Sequence, residues 1–396
     1  MKRRDFIKNS SLASGLFFVP SFLKSMELIN PELLGYKKLV VIQLSGGNDG
    51  LNTVIPYRND IYYKKRPSLA VDKSNLIDIN GELGFHKSLA PLKNLYDQGY
   101  LSVINGVGYP NPNRSHFRST DIWHTASNSN EYLETGWLGR YINKYGEMPY
   151  SGIEVDDSLS LILKGETING IATKNPEVLF RNARTPYFKK VLNQQTDDHL
   201  SEHNLGYLYK TMIEANSSAN YIYETSKVFN SSVSYPNNPF ANQLKTTAKF
   251  INSHLDSKVY YVSMGGFDTH AYQIKRQERL LKVYSESLAT FVKDLEANNT
   301  FKDTLILTFS EFGRRVKQNA SNGTDHGTAN NVFIIGKNLK KAGFYNNAPD
   351  LNNLDKNGDL IYNVDFRTIY ATLLNNWLDC NSESILNQQF KPLDFI

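Results

Sequence analysis

The sequence predicts a three-layer α/β/α fold around a mostly parallel central sheet. Short β-branched apolar runs such as K-L-V-V-I-Q-L and T-L-I-L-T-F recur along the 396 residues and alternate with helical patterns. Such runs mark strands buried on both faces, as a parallel sheet between helices requires. There is no internal repeat, and polar, chemistry-bearing residues gather directly after the runs. A chain of this length can bury a large core as one α/β domain or two smaller ones.

The first residues, M-K-R-R-D-F-I-K-N-S-S-L-A-S-G-L-F-F-V-P, read as a targeting segment over 1–30. Arg3 and Arg4 form a twin-arginine pair ahead of a modest apolar run that Pro20 breaks. That run falls short of the ~20 apolar residues that span a bilayer. Export by the twin-arginine route, to the periplasm or beyond, is therefore expected, with no further transmembrane segment. Of the net charge of +5, most sits in residues 1–25, where Lys2, Arg3, Arg4, Lys8 and Lys24 stand against Asp5. The rest is near neutral, so nucleic acid is not an expected partner. Cys380 is the only cysteine, which excludes intrachain disulfides and cysteine-rich metal sites.

Residues 38–396 read as one domain, beginning with a buried strand at Lys38–Leu44 that ends in S-G-G-N-D-G-L-N. Asp49 thus falls where the first strand leaves the sheet, the edge at which α/β folds gather ligands; a turn aspartate is the equal alternative. His86 precedes an amphipathic helix from about Ser88, and 101–108 is a second buried strand. Pro110 and Pro112 delay the next helix to about Ser115. Ser115 then sits at a helix N-terminus, either as a plain N-cap or as a nucleophile beside Arg114 and His116. The stretch of about 165–255 reads as a mostly helical insertion or cap, including a helix from Asn238 to Leu255 and a surface pair His199/His203.

Strands are then expected at Val259–Met264, Leu305–Phe309 and Asn331–Ile335, with a long helix Ala271–Glu296 striped by Ile274, Leu281, Tyr284, Leu288, Val292 and Leu295. A further amphipathic helix closes the chain from Asp365. After the strands come G-G-F-D-T-H, S-E-F-G-R-R and G-T-D-H-G. Asp268, His270, Glu311, Asp325 and His326 are expected to meet at one rim of the sheet. Imidazole with hard oxygen suits Zn, Mn, Ca or Mg according to geometry.

The set G-G-N-D-G-L-N, R-S-H-F-R-S-T-D-I-W, G-G-F-D-T-H, S-E-F-G-R-R and G-T-D-H-G, behind a twin-arginine segment, resembles an uncharacterised family of exported sulfatase-like proteins. That family is placed in the alkaline phosphatase/sulfatase superfamily. The resemblance covers the chain from about Lys38 and implies an alkaline-phosphatase-like fold. It implies Asp49 as a metal ligand, Ser115 as the nucleophile, Asp268 and His270 as a metal-binding pair, and His326 as a last ligand. Ser310-Glu311-Phe312-Gly313 matches a motif that usually reads Ser-Asp-His-Gly, so Phe312 stands where a ligand histidine is usual; Asp325, His116 and His86 are the candidate replacements. No C-x-P-x-R or S-x-P-x-R is present, and in N-P-N-R the nucleophile position falls on Pro110, which disfavours an aldehyde-bearing sulfatase.

The expected function is an exported hydrolase of phosphate or related esters with one or two divalent ions. Arg114 or Arg314 would neutralise the transferring group. The substrate would be a small-molecule or polysaccharide ester. The alternative is a non-catalytic cell-envelope protein that keeps the metal and binds or assembles with a protein partner.

Overall fold

Seven consecutive buried residues, Lys38–Leu44, form β1, and their alternation sends side chains to both faces of the sheet. Val40, Ile42 and Leu44 join one apolar core, while Leu39 and Val41 join another. The computed structural model describes residues 37–186 and 203–396, with backbone alone over 203–210. The twin-arginine segment, His199 and the His203 side chain lie outside the described residues.

The strands following β1 are β2 (Val54–Ile55), β3 (Leu76–Asp78), β4 (Gly84–His86), β5 (Leu101–Gly108), β6 (Gly152–Glu154), β7 (Ile171–Ala172), β8 (Val259–Met264), β9 (Thr304–Phe309), β10 (Asn330–Ile335), β11 (Gly343–Phe344) and β12 (Val364–Asp365). Among the described residues nine of them make one sheet in the order β11-β5-β10-β9-β1-β8-β6-β7, with β12 also on β5. The small sheet β2-β4-β3 stands apart from it. Pairing in the large sheet is parallel except at β10, which runs antiparallel to both β9 and β5.

Helices α1 (Ala90–Asp97), α2 (His116–Thr125), α3 (Trp137–Tyr145), α4 (Pro239–Asn252), α5 (Gln273–Ala297) and α6 (Phe366–Thr372) cover the two faces. Leu92 and Leu95 of α1, Phe240 and Leu244 of α4, and Leu281, Tyr284 and Leu288 of α5 pack on the face of Val40 and Ile42. Trp123 of α2, Trp137 of α3 and Tyr370 of α6 pack on the other. The result is the expected α/β/α sandwich. Helix α4, within the stretch read as an insertion, packs in the same core as α5 and β8 and so belongs to a layer of the sandwich.

Boundaries follow local chemistry. Helix α4 starts where Asn238 caps it, its side chain accepting from the Ala241 amide at 2.8 Å. Helix α5 starts two residues later than expected because Tyr272 takes a left-handed backbone, φ 48°, that no helix contains. Its buried residues begin with Gln273 and Gln277, and Ile274, expected in the stripe, is exposed.

His124 on α2 is buried, its Nε2 within 3.0 Å of both Gln43 Oε1 and the Tyr261 hydroxyl. Burial pushes its pKa down to about 3. An unfolded histidine titrates near 6.5, so the unfolded chain takes up this proton first. The contribution is present above that value and is lost as pH falls toward the folded one. Urea melts of wild type and His124→Gln between pH 7 and pH 4 are expected to show a shallower acid loss in the variant; parallel curves would contradict this reading.

Candidate metal centre

The topology brings distant segments to one rim. Loops leaving the parallel strands β1, β8 and β9 emerge at their carboxyl ends, carrying Asp49, Asp268 and Glu311 respectively. Because β10 is antiparallel to β9, the loop that enters it arrives at that same rim, carrying Asp325 and His326. The loop after β5 leads into α2, placing Ser115 at the N-cap and His116 at the first helical residue. Gly46, at φ 119°, lets the β1 loop lie against Asp268; a Cβ there would collide with the backbone of Phe267 and Asp268.

Four side chains converge. His270 Nε2 lies 2.9 Å from His326 Nε2 and 3.1 Å from Asp268 Oδ1. His326 Nε2 lies 3.3 Å, and His116 Nε2 3.4 Å, from the same Asp268 oxygen. Ligand atoms of His116, Asp268 and His326 all fall within 4.8 Å of one another. Each imidazole is held from behind at Nδ1: His116 by Glu311 Oε1 at 2.8 Å, His326 by the Arg114 carbonyl at 2.7 Å, and His270 by Asp325 Oδ1 at 3.3 Å. A carbonyl or carboxylate oxygen only accepts, so each Nδ1 carries the ring hydrogen.

The three Nε2 atoms therefore turn lone pairs toward a carboxylate, and the buried Nε2 of His116 has no hydrogen-bond partner. Two nitrogens 2.9 Å apart, each with its hydrogen committed elsewhere, need a cation between them, a proton or a metal ion. Zn–N bonds of about 2.0–2.1 Å in a tetrahedron imply ligand–ligand edges of about 3.3 Å. The separations of 2.9, 3.1, 3.3 and 3.4 Å lie near that edge; His116, Asp268 and His326 form the mutually close set, and His270 adjoins it on His326 and Asp268. The residues fit a metal ion.

The surroundings act on the donors unequally. Burial would raise the Asp268 pKa, but the hydrogen bond and charge of Arg314, with His326 and His270 beyond them, hold it well below the usual carboxylate range. Burial lowers the pKa of His326. The hydrogen bond to Glu311 raises that of His116 against the effect of burial. Phe312, buried, lies with its ring centroid 4.8 Å from both His116 and His326. It occupies the side of the cluster at which the sequence motif leads one to look for another imidazole.

The other candidates are placed differently. Asp49 is wholly buried, its Oδ2 paired with Arg66 at 2.6 Å and accepting from Gln273; no contact joins it to the imidazoles. Glu311 stands behind His116 instead of among the inward-facing donors, and it also accepts from the Gly46 amide at 2.8 Å. Asp325 stands likewise behind His270. His86 is buried in the small sheet, accepting from the Ser88 amide at 3.2 Å, and burial pushes its pKa down to about 4. Arg114 gives the site its carbonyl, while its guanidinium is paired with Asp359 and, at 3.5 Å, Asp355. Arg314 is buried on Asp268 and on the carbonyls of Gly46, Gly47, Phe267 and Thr324, so it binds the loops together. Ser115 is exposed, and its side chain makes no cap bond.

A convergent imidazole–carboxylate cluster at the carboxyl rim of a mixed α/β sheet defines a candidate metalloprotein. A family model described as "Protein of unknown function (DUF1501)" matches residues 105–378, and the chain belongs to that family. No curated protein matches the sequence. Solved structures resemble it at low identity. The lipoteichoic acid synthase LtaP from Listeria monocytogenes is 10% identical, with 79% of this chain and 68% of that one covered and a TM-score of 0.39. The C-terminal periplasmic domain of EcEptC from Escherichia coli, in complex with Zn, is 13% identical, with 76% and 72% covered and a TM-score of 0.32. A protein in the alkaline phosphatase superfamily from Vibrio parahaemolyticus is 11% identical, with 79% and 62% covered and a TM-score of 0.35. Among the described residues no helix is long and apolar enough to cross a membrane.

Proposed function

We propose that this chain is a metal-dependent hydrolase of phosphate or related esters, holding one ion on His116, Asp268, His270 and His326. The observation that carries this reading is the shared orientation of three imidazoles. Each is pinned at Nδ1 by an acceptor, and each turns Nε2 inward. Nitrogen-rich donors favour zinc or a neighbouring transition metal over calcium and magnesium, which prefer all-oxygen sets. The ion, when bound, supplies Lewis acidity toward an ester oxygen and eases deprotonation of a hydroxyl or water.

The chain's own residues supply the rest. Ser115 stands between Arg114, whose carbonyl orients His326, and His116 itself. No side chain caps α2, so its first-turn amides and positive dipole end are open to a tetrahedral anion. Glu311, Asp325 and the Arg114 carbonyl act as positioning groups that fix ring tautomers. With Asp49 engaged by Arg66, the reading is of one ion, not two.

Ser115→Ala is expected to keep the metal and to lower turnover of 4-nitrophenyl phosphate mono- or diesters by about a thousandfold or more, as loss of a nucleophile does elsewhere. Full activity in the variant would instead assign the attack to water. The rival reading, a metal-holding binding or assembly protein of the cell envelope, draws on Phe312, whose ring takes up space beside the cluster. An ion bound by a folded chain that turns over no phosphate or sulfate ester would favour it. We also infer twin-arginine export from Arg3 and Arg4; cell fractionation of Arg3→Lys/Arg4→Lys is expected to leave the protein inside, and unchanged export would remove the inference.

A further inference from the structure

Every residue of β1 after Lys38 is apolar except Gln43, which is buried. Leu39 and Val41, on the same face of the strand, lie in the core that holds Ile122 and Trp123 of α2. A polar side chain sunk there lowers stability unless it is hydrogen-bonded, and Gln43 has partners at both ends of its amide. Its Oε1 accepts from the Tyr261 hydroxyl and lies 3.0 Å from His124 Nε2. Its Nε2 lies 3.3 Å from Thr120 Oγ1 and 3.4 Å from Glu311 Oε2.

Those partners leave the amide one orientation. A flipped Gln43 would set Oε1 against the Glu311 carboxylate, two acceptors face to face. Gln43 Nε2 therefore donates to Glu311 Oε2. The Ser310 hydroxyl, 3.3 Å from the same oxygen, has one hydrogen, and the Leu44 carbonyl at 2.6 Å takes it. The other carboxylate oxygen, Oε1, accepts from the Gly46 amide and from His116 Nδ1, each at 2.8 Å. A buried line thus runs from Tyr261 and His124 through Gln43 and Glu311 to His116, whose Nε2 faces Asp268.

We propose that Gln43 is a positioning residue of the metal centre, holding the Glu311 carboxylate in the pose from which it accepts the His116 ring hydrogen. The inference rests on the proposed ion site and extends it to a strand residue one hydrogen bond behind Glu311. The Glu311 side chain has no exposed surface, so water cannot stand in for a lost donor. Without Gln43 Nε2, Oε2 is a buried acceptor with no donor, and a carboxylate that turns to find one lets go of His116. Tyr261 and His124 act one step further out, keeping the amide from turning over.

The test is zinc affinity of the folded full-length chain, read by competition with a chromogenic chelator. Gln43→Met keeps the length of the side chain and removes the donor. It is expected to weaken zinc binding about tenfold, the lower end of what disturbing the group behind a ligating histidine does. In a Glu311→Gln background the same change is expected to alter affinity less than about twofold, because both residues act through one path. A general loosening of the core would weaken both backgrounds alike. Tyr261→Phe, which removes one hydroxyl, is expected to weaken binding about threefold with the same cancellation, and it decides the matter if Gln43→Met does not fold. Unchanged affinity in the folded variant, or an equal loss in both backgrounds, overturns the role of Gln43 and leaves the ion site standing. A wild-type chain that takes up no zinc removes the ion site and the role of Gln43 together.

Discussion

Replacing His326 with alanine is expected to take bound zinc from about one ion per chain to none, with the fold retained. The ring contributes an inward Nε2 that meets His270 at 2.9 Å and Asp268 at 3.3 Å, so its removal opens the middle of the donor set. The loss should not depend on bulk unfolding. His326 sits on a loop before β10, part-buried, and its Nδ1 bond is to a carbonyl that water can satisfy once the ring is gone. Glu311→Gln is the graded companion. It keeps the shape behind His116 and removes the charge that favours a hydrogen on Nδ1, so zinc affinity should fall about 10–100-fold, the usual effect of disturbing the group behind a ligating histidine. Elemental analysis and competition with a chromogenic chelator read both, and circular dichroism reads the fold. Unchanged affinity in either folded variant would contradict the arrangement.

Asp49→Ala is expected to do the reverse, lowering stability by about 3–5 kcal/mol while zinc stoichiometry in the folded protein stays at one. Arg66 has no exposed surface, and its guanidinium holds Asp49 Oδ2 at 2.6 Å, Asn52 Oδ1 at 2.8 Å and the carbonyls of Val316 and Arg315 at 2.9 and 2.8 Å. Those contacts staple the β1 loop to the segment that follows Arg314. Without the carboxylate a buried positive charge loses its counter-ion and cannot reach water. Urea unfolding of zinc-loaded protein gives the stability difference. A variant as stable as wild type that binds no zinc would restore Asp49 as a ligand.

These two predictions divide residues that the sequence presents alike. The buried runs at 38–44, 101–108, 259–264, 304–309 and 330–335 were legible because a strand covered on both faces needs apolar residues at every position. Asp268, His270 and His326 were legible because polar groups of that type directly after such runs fall at a sheet edge. Beyond that, one dimension hides partnership. Arg66 lies in K-K-R-P, a polar stretch without periodicity, and gives no sign that it folds back onto Asp49. The antiparallel direction of β10, which brings His326 to the rim, depends on how 330–335 pairs with β9, and its composition is the same either way.

His116 stands out less than Asp49 or Glu311 in the sequence because it follows a candidate nucleophile and a turn of prolines and asparagines, where histidines are ordinary. The usable signal was its place beside Ser115 at the first turn of a helix, which turns its ring back to the rim. Glu311 and Asp325 were legible as acidic residues of the site, but the difference between touching an ion and touching the far nitrogen of a ligand is a matter of a few ångströms. Arg114 illustrates the same limit: position beside Ser115 was readable, whereas the pairing of its guanidinium with Asp359, 245 residues later, was not.

X-ray absorption on the zinc-loaded chain addresses the arrangement itself. The predicted spectrum has nitrogen and oxygen scatterers at about 2.0–2.1 Å with the outer-shell pattern of three imidazoles. A shell of oxygen alone, or a folded protein that holds no zinc to measure, would contradict it.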